Sequence, residues 1–207
     1  TVALYAAEKV AQLGGTVVAM SDSRGFIVDD HGIAGEKLEF LKQRIDHRRA
    51  PLREYVEKFG GSYSEGPHIW HVPVDIAIPC ATQNEINTED AKALLRNGCT
   101  CVCEGSNQPV TADASLLLQQ SNILYGPGTA ANCGAAAVSA FETAQNTLGL
   151  NWSAEEIDIR LHDLMRAIHN RCVSTAEEHG CPGNLIVGAN IAAFTRLADA
   201  MLEQGVV

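Results

Sequence analysis

Four short segments of the chain combine hydroxyl, amide and small side chains, which can donate and accept hydrogen bonds with a polar ligand. They are SDSRG (21–25), CATQNE (80–85), EGSNQP (104–109) and PGTAANCG (127–134). Each follows a short apolar run of the kind that forms a buried strand. Ligands of open α/β sheets bind outside the carboxyl ends of the strands, so these segments are the candidate binding loops.

The first segment has the residue types that distinguish a ribose hydroxyl from a ribose phosphate. A carboxylate at this position accepts hydrogen bonds from a 2′-hydroxyl, whereas arginine and hydroxyl groups accommodate a 2′-phosphate. Ser23 and Arg24 belong to the second kind, and Asp22 belongs to the first. A plain turn with a solvated arginine is the alternative, and the segment alone leaves these interpretations open.

The second segment offers polar side chains next to a small residue. Thr82 and Gln83 can bind a ligand directly, and Ala81 is small enough to let a cofactor approach the main chain. A loop that only caps the next helix, through Asn84 or Asn87, is the alternative.

The last two segments each place an asparagine two residues from a glycine. An amide side chain donates and accepts at once, so Asn107 and Asn132 can pair with a carboxamide such as that of nicotinamide. Ser139 follows Asn132 by about two helical turns, so its hydroxyl can face the same cleft. Turn asparagines with a structural role, and a buried serine bonded to its own helix, are the alternatives.

The cysteines and histidines form no recognisable metal or catalytic motif. None of the seven cysteines forms a C-x-x-C pair, although Cys99, Cys101 and Cys103 alternate as on one face of a strand. They are expected to be reduced, buried thiols of a cytoplasmic protein, and no metal site is predicted. His68 and His71 have H-x-x-H spacing with no companion motif, so they are interpreted as part of a loop entering a strand.

Charge and hydropathy exclude several classes of partner. The formal net charge is −10 and the isoelectric point is about 5.1, which argues against nucleic acid or an anionic membrane. No apolar run approaches the about 18 residues of a membrane-spanning helix. A small-molecule ligand of the four candidate loops is compatible with this charge and hydropathy.

Short strands alternate with helices of about ten residues, which predicts an α/β fold with a parallel, doubly wound, Rossmann-like sheet. Strands are expected at 16–20, 74–79 and 99–105 and before Gly126, with a turn over 21–33 and a loop over 60–70. Helices are expected over 36–59 with an interruption near Pro51, over 88–98 between Thr88 and Gly98 as caps, and over 111–121. The chain from about residue 130 onward is predicted to be helical, with a capping box formed by Ser153 and Glu156.

The chain opens directly in a helical pattern that Gly14 and Gly15 end, and only Thr1 precedes it as a cap. A helix followed by a buried strand is half of a βαβ unit. The first strand and its glycine turn are therefore expected to lie before the start of this sequence.

The four loops, in this order, resemble the nucleotide-binding domain of hexameric glutamate dehydrogenases of the Glu/Leu/Phe/Val dehydrogenase family, and most closely the NADP-using branch. The resemblance runs from Thr1 to Val207 and includes the blocks SDSRGFIVDDHGI, VDIAIPCATQNEI, EGSNQPVT, PGTAANCG, AQNTLGLNWSAEEID and VGANIAAFTRLADAMLEQGV. Where relatives have lysine and methionine, this chain has Thr129 and Gln108.

The resemblance implies roles for particular residues. Thr1 matches a cofactor-contacting asparagine of the glycine turn, and Ser23 and Arg24 fall where NADP and NAD members differ, Arg24 favouring NADP. Asn107 and Asn132 match residues near the nicotinamide, with Ala81, Thr82 and Gln83 in the cofactor loop between. Ser139 matches a serine that holds the side-chain carboxylate of the substrate.

The resemblance also implies the activity and organisation of the intact protein. Residues 1–140 are expected to form a dinucleotide-binding domain and 141–207 to form helices that pack back toward an absent substrate domain, which carries the catalytic lysine and aspartate. The expected reaction converts glutamate to 2-oxoglutarate and ammonia in a cytoplasmic homo-hexamer. Its expected cofactor is NADP, with NAD as the alternative. A leucine, phenylalanine or valine dehydrogenase is one alternative, and a non-catalytic nucleotide-binding module is the other.

Overall fold

The computed structural model describes residues 1–47, 52–121 and 123–205. Contacts divide the chain into two units, Thr1–Ile123 and Leu124–Val207. The boundary predicted after residue 140 separates a dinucleotide-binding domain from C-terminal helices by function, and it stays a prediction. Helices and strands alternate along the first unit, which confirms the α/β class.

The first half of unit 1 contains an antiparallel three-stranded sheet in the order β1-β2-β3. Its elements are α1 (Val2–Gln12), β1 (Ala19–Ser21), β2 (Gly25–Val28), α2 (Glu36–His47), α3 (Leu52–Phe59) and β3 (Ser62–Glu65). The prediction of a turn over 21–33 and a loop over 60–70 is therefore wrong. Phe26 and Ile27 are buried in β2, and a Cβ on Gly25 would clash with the carbonyl oxygen of Ser64, so this pairing needs a glycine.

Apolar residues from the three helices cover this sheet. The core consists of Leu4, Ala7, Ile27, Ile33, Leu38, Leu41, Leu52 and Tyr55. One carboxylate lies among them: Asp29 is buried, and it accepts hydrogen bonds from Lys37 Nζ (2.6 Å), the Tyr55 hydroxyl (2.6 Å) and the backbone N–H of His31 (3.0 Å). Through these bonds, Asp29 connects the segment that follows β2 to Lys37 on α2 and to Tyr55 on α3.

The second half of unit 1 contains the parallel pair. A short 3₁₀ helix (His68–His71) leads into β4 (Ile76–Ala77), followed by α4 (Thr88–Arg96), β5 (Cys101–Cys103) and α5 (Ala112–Gln120). Strands β4 and β5 are parallel, with Ile76 opposite Cys101 and Ala77 opposite Val102. Both strands lie where the sequence predicts them, but each is shorter than predicted.

The helix ends agree with the predicted ones to within a residue or two. The side chain of Thr1 makes no capping bond at the start of α1. Helix α1 ends two residues before Gly14, which has a left-handed backbone conformation with φ +84°. At α4 the N-cap is Asn87 rather than Thr88, because the Asn87 side chain accepts the N–H groups of Glu89 and Asp90. The C-cap of α4 is Asn97 rather than Gly98.

Unit 2 is mainly helical, as predicted. It consists of β6 (Leu124–Gly126), α6 (Gly128–Ala131), α7 (Gly134–Leu148), α8 (Ala154–Glu178) and α9 (Leu185–Gln204). The predicted capping box is confirmed, since Ser153 Oγ accepts the N–H of Glu156 and the Glu156 carboxylate accepts the N–H of Ser153. Helices α8 and α9 pack closely where Gly188 is buried against the backbone of Cys172.

Helix α9 differs from one expectation. The sequence analysis predicts no membrane-spanning segment, but α9 is long and apolar enough to cross a membrane by length and composition. It contains Arg196 and Asp199 and is mostly exposed within the described part of the chain. Phe194, Leu197 and Met201 are among its exposed apolar residues. A single helix of this kind is weak evidence for a membrane segment.

Candidate functional site

The turn between β1 and β2 presents Ser23 and Arg24 to solvent. Asp22 Oδ1 accepts the backbone N–H groups of Arg24 (2.7 Å) and Gly25 (3.2 Å), and the N–H of Asp22 donates to the Gly25 carbonyl (2.9 Å). The Asp22 carboxylate is therefore occupied by the turn itself. Among the described residues, no carboxylate pairs with the Arg24 side chain, which is exposed together with Ser23.

The loops after β4 and β5 are bonded to each other along their length. The carbonyl of Pro79 accepts the N–H groups of Gly105 (2.9 Å) and Ser106 (3.1 Å). Further along, the N–H of Ile86 donates to the Pro109 carbonyl (2.9 Å), and Ile86 forms a parallel bridge with Val110. The parallel pairing of β4 and β5 thus continues beyond the strands into both predicted cofactor loops.

Two residues with left-handed backbone conformation meet at the tips of these loops. Asn84 has φ 58° and Gln108 has φ 47°, and they are the only non-glycine residues with positive φ in the described ranges. The N–H of Asn84 donates to the Gln108 carbonyl (3.0 Å), and Gln83 Nε2 donates to Gln108 Oε1 (3.2 Å). Such conformations cost free energy and are held by the surrounding bonds, which often happens at ligand sites.

A half-buried carboxylate organises the first of the two loops. Glu85 Oε1 accepts the N–H of Ala81 (3.3 Å), and the N–H of Thr82 also donates to this carboxylate. Burial raises the pKa of Glu85 despite these two bonds. The N–H groups of Ala81 and Thr82 are therefore already bonded to Glu85. A ligand of this loop would have to contact its side chains and carbonyl groups instead.

The cysteines near these loops are poor nucleophiles. Burial raises the pKa of Cys80 to about 11, and the Glu85 carboxylate adds to this effect. Burial also raises the pKa of Cys99, Cys101 and Cys103. Their thiols are therefore neutral at physiological pH, whereas nucleophilic attack and metal binding need the thiolate. Within the described ranges, no cluster of three or more His, Cys, Asp or Glu side chains could hold a metal ion.

Ser106 belongs to the loop after β5 and has a buried hydroxyl. Its Oγ atom is buried and has no hydrogen-bond partner among the residues that the structure describes. An unpaired buried hydroxyl costs free energy unless water or a ligand satisfies it. Asn107 itself is exposed and follows Ser106 directly.

Unit 2 holds the two other candidate residues. Asn132 is half-buried and is the C-cap of α6, its N–H donating to the Gly128 carbonyl (3.1 Å). Ser139 lies on α7 and is exposed, so the alternative of a buried serine bonded to its own helix does not describe it. Asn132 thus lies at the junction between α6 and α7, and Ser139 lies within α7.

The structure thus brings together the candidates Ala81, Thr82, Gln83 and Asn107 through the two joined loops. Thr1 lies at the start of α1, and Ser23 and Arg24 lie on the hairpin turn. Sequence reasoning missed Glu85 and Gln108 as structural members of this site. No local pattern indicates the left-handed conformation of Gln108, because a following proline favours extended backbone at the residue before it.

Parallel strands, helices and polar loops at the strand ends define a Rossmann-like nucleotide-binding region within an α/β protein. The family model for glutamate/leucine/phenylalanine/valine dehydrogenases matches residues 1–205. The chain belongs to this dehydrogenase family.

Individual relatives agree over the whole chain. A glutamate dehydrogenase of Bacteroides thetaiotaomicron is 47% identical over 206 residues, covering 100% of this chain and 46% of the relative. An NADP-specific glutamate dehydrogenase of Escherichia coli is 47% identical over 209 residues, again covering 100% and 46%. The solved glutamate dehydrogenase of Plasmodium falciparum superposes with a TM-score of 0.95 at 37% identity, covering 99% of this chain and 44% of that one. The chain therefore spans about half the length of these relatives.

Proposed function

We propose that this chain is the cofactor-binding part of an NADP-dependent glutamate dehydrogenase. The reaction is the reversible oxidative deamination of L-glutamate to 2-oxoglutarate and ammonia. The observation that carries the proposal is the 47% identity over the full chain to an Escherichia coli protein named NADP-specific glutamate dehydrogenase. The aligned region covers 100% of this chain.

Two features of the chain fit an NADP molecule. An exposed arginine and serine on the β1–β2 turn provide a cation and a hydroxyl for a 2′-phosphate, while the Asp22 carboxylate is engaged within the turn. The buried, unpaired Ser106 hydroxyl beside Asn107 leaves a hydrogen bond for a bound group or water. When bound, the nicotinamide would accept or supply the hydride.

The chain's own residues bind and orient the two reactants. Ser23 and Arg24 hold the 2′-phosphate, and the main chain at Thr1 begins the helix α1, whose free N–H groups suit a pyrophosphate. The loop side chains of Thr82 and Gln83, with Ala81 beside them, line the cofactor. This assignment is supported by the exposed position of these residues on the loop after β4.

The nicotinamide and substrate end of the site is assigned to three residues. Asn107 and Asn132 orient the carboxamide of the nicotinamide through their amide groups. Ser139 donates its hydroxyl to the side-chain carboxylate of glutamate, and its exposed position on α7 supports this role. A serine in this place disfavours a dehydrogenase for apolar amino acids.

The catalytic lysine and aspartate belong to a substrate domain outside this sequence, and no lysine of this chain takes their role. Residues 1–140 form the dinucleotide-binding domain, and 141–207 form helices that pack toward the substrate domain. The exposed apolar side chains of α9 support this arrangement, since large apolar surfaces on a helix usually face another part of the protein. The intact protein is a cytoplasmic homo-hexamer.

The test is an activity assay of the full-length protein that contains this sequence. We expect turnover of glutamate with NADP⁺ that exceeds turnover with NAD⁺, and little turnover of leucine with either cofactor. Leucine turnover without glutamate turnover would instead indicate the related amino-acid dehydrogenase. Absence of turnover together with binding of NADP⁺ would indicate a nucleotide-binding module. Sedimentation of the same preparation tests the hexamer.

A further inference from the structure

One acidic side chain closes the loop that follows β4. Glu85 Oε1 accepts the N–H of Ala81 (3.3 Å), and the N–H of Thr82 donates to the same carboxylate. The chain turns at Gln83 and Asn84, and Asn84, directly before Glu85, has a left-handed φ of 58°. The Glu85 carboxylate thus reaches back four positions and closes the loop on itself. No role was predicted for Glu85 from the sequence.

The closed loop is bonded at its tip to the loop that follows β5. The N–H of Asn84 donates to the Gln108 carbonyl (3.0 Å), and Gln83 Nε2 donates to Gln108 Oε1 (3.2 Å). Gln108 has a left-handed φ of 47° and directly follows Asn107. A movement of the turn that Glu85 closes would therefore be transmitted to Asn107, the residue proposed to orient the nicotinamide.

Main-chain N–H groups are the donors that compensate the charge of Glu85. The side chain is half-buried, and none of the ion pairs in the described part of the chain involves it. Burial raises the pKa of Glu85, and the bonds from Ala81 and Thr82 lower it. A hydrogen bond to an ionised group is about twice as strong as one between neutral groups. The charge of Glu85 therefore strengthens its hold on the loop.

The residues proposed for the 2′-phosphate lie on a different sheet. Ser23 and Arg24 are on the turn between β1 and β2, which belong to the antiparallel sheet, whereas Glu85 follows a strand of the parallel pair. The turn with Arg24 is held by Asp22 Oδ1, which accepts two N–H groups of the turn itself. A change at Glu85 should therefore leave binding of the adenosine and its 2′-phosphate unaltered.

We propose that Glu85 is a positioning residue for the nicotinamide half of the cofactor, because its carboxylate fixes the loop after β4 and this loop holds Gln108 beside Asn107. The inference rests on the proposed function, in which Asn107 orients the nicotinamide carboxamide. Glu85 acts through the loop and not on the reacting atoms. It strengthens binding because the loop is ordered before the cofactor arrives.

The test measures binding of NADPH and of 2′,5′-ADP to the full-length protein by calorimetry at neutral pH. Both compounds carry the 2′-phosphate, but 2′,5′-ADP lacks the nicotinamide half. Glu85→Gln keeps an acceptor oxygen without the charge, and Glu85→Ala removes the acceptor. Glu89→Gln is the matched control, because Glu89 is exposed at the start of α4 and pairs with Lys92 (2.7 Å) of its own helix.

We expect Glu85→Gln to weaken NADPH binding about three- to tenfold and Glu85→Ala about ten- to hundredfold. The bonds become neutral in the first variant and are lost in the second. Binding of 2′,5′-ADP should not change in either variant, and Glu89→Gln should behave as the wild type. In hydrogen exchange followed by mass spectrometry, peptides that contain Ala81 and Thr82 should exchange faster in both Glu85 variants.

An unchanged NADPH affinity in either Glu85 variant would overturn the inference, even if the loop exchanged faster. An equal loss of NADPH and 2′,5′-ADP binding would also overturn it, as would the same NADPH loss in Glu89→Gln. Retained 2′,5′-ADP binding reports that a variant is folded, and Glu85→Gln decides if Glu85→Ala is not. In each of these cases, wild-type binding of NADPH leaves the proposed cofactor standing. If the wild-type protein binds neither compound, the proposed function fails together with the inference.

Discussion

Replacing Asp29 by asparagine tests the charged network that joins β2 to the helices of unit 1. The carboxylate accepts Lys37 Nζ and the Tyr55 hydroxyl at 2.6 Å each, and the N–H of His31 at 3.0 Å. Asparagine has nearly the same shape, so no cavity forms. However, it lacks the charge, and its Nδ2 is a donor where Oδ2 or Oδ1 of the carboxylate was an acceptor.

The expected cost follows from what each partner retains. A hydrogen bond to a charged group contributes about 1.5–3 kcal/mol, and loss of one partner of a buried ion pair costs about 3–5 kcal/mol. Lys37 is 23% exposed and also donates to the Gly32 carbonyl (3.1 Å), so its ammonium keeps some solvation. We therefore expect Asp29→Asn to lower the free energy of unfolding by about 2–3 kcal/mol near neutral pH.

The assay is urea unfolding followed by circular dichroism, with two control variants. Asp30→Asn changes the exposed neighbour and should cost less than about 0.5 kcal/mol. Tyr55→Phe removes one donor and should cost about 1 kcal/mol, because Asp29 keeps its other partners. If Asp29→Asn costs no more than Asp30→Asn, the network does not stabilise the fold and the reasoning is refuted.

The same variant has a defined pH dependence. Burial alone would raise the pKa of Asp29, but the bonds from Lys37, Tyr55 and His31 outweigh burial and lower it. The stabilisation is therefore complete above the ordinary aspartate pKa of about 3.9 and is lost as the pH falls through the lower folded-state value. The difference between wild type and Asp29→Asn should shrink as the pH is lowered from about 5 toward about 2, and a constant difference would contradict this cause.

Three further substitutions have definite outcomes. Arg24→Asp should raise KM for NADP⁺ far more than KM for NAD⁺ in steady-state kinetics of the full-length protein, and equal effects would count against phosphate binding by Arg24. Asn87→Ala removes the acceptor for two N–H groups at the start of α4 and should lower the free energy of unfolding by about 1 kcal/mol, measured in urea; no loss would contradict its capping role. Gly188→Ala places a Cβ against the carbonyl oxygen of Cys172 and should cost about 2–3 kcal/mol, whereas Gly134→Ala, whose Cβ would have ordinary contacts, is the control. Similar costs for these two glycine variants would contradict the close packing of α8 and α9.

The features predicted well from the sequence are those that depend on neighbouring residues. The capping box of Ser153 and Glu156 and the helices α2 and α3 arise from contacts within a few positions, so their pattern is visible locally. The predicted interruption near Pro51 lies outside the described residues. Of the predicted turn over 21–33, only the part with Ser23 and Arg24, between β1 and β2, is a turn in the structure, and the polar run before Gly25 marks it.

The features missed depend on residues far apart in the chain. Strand β3 (Ser62–Glu65) is polar and mostly exposed, so nothing in its own sequence indicates a strand, and it forms because β2 pairs with it. The bond between Gln83 and Gln108 joins loops 25 positions apart. Candidate residues could be named from the sequence, but their mutual contacts could not.

Because hydrogen bonds join the loops after β4 and β5, these loops lose their conformational entropy during folding and not when a ligand binds. Their backbone N–H groups at Asn84, Ile86, Gly105 and Ser106 are all occupied before any ligand arrives. These amides should therefore exchange with deuterated solvent as slowly as those of a strand, although they belong to loops. A ligand that binds here meets a surface whose conformational entropy was lost during folding, so less of its binding energy is consumed in immobilising the protein.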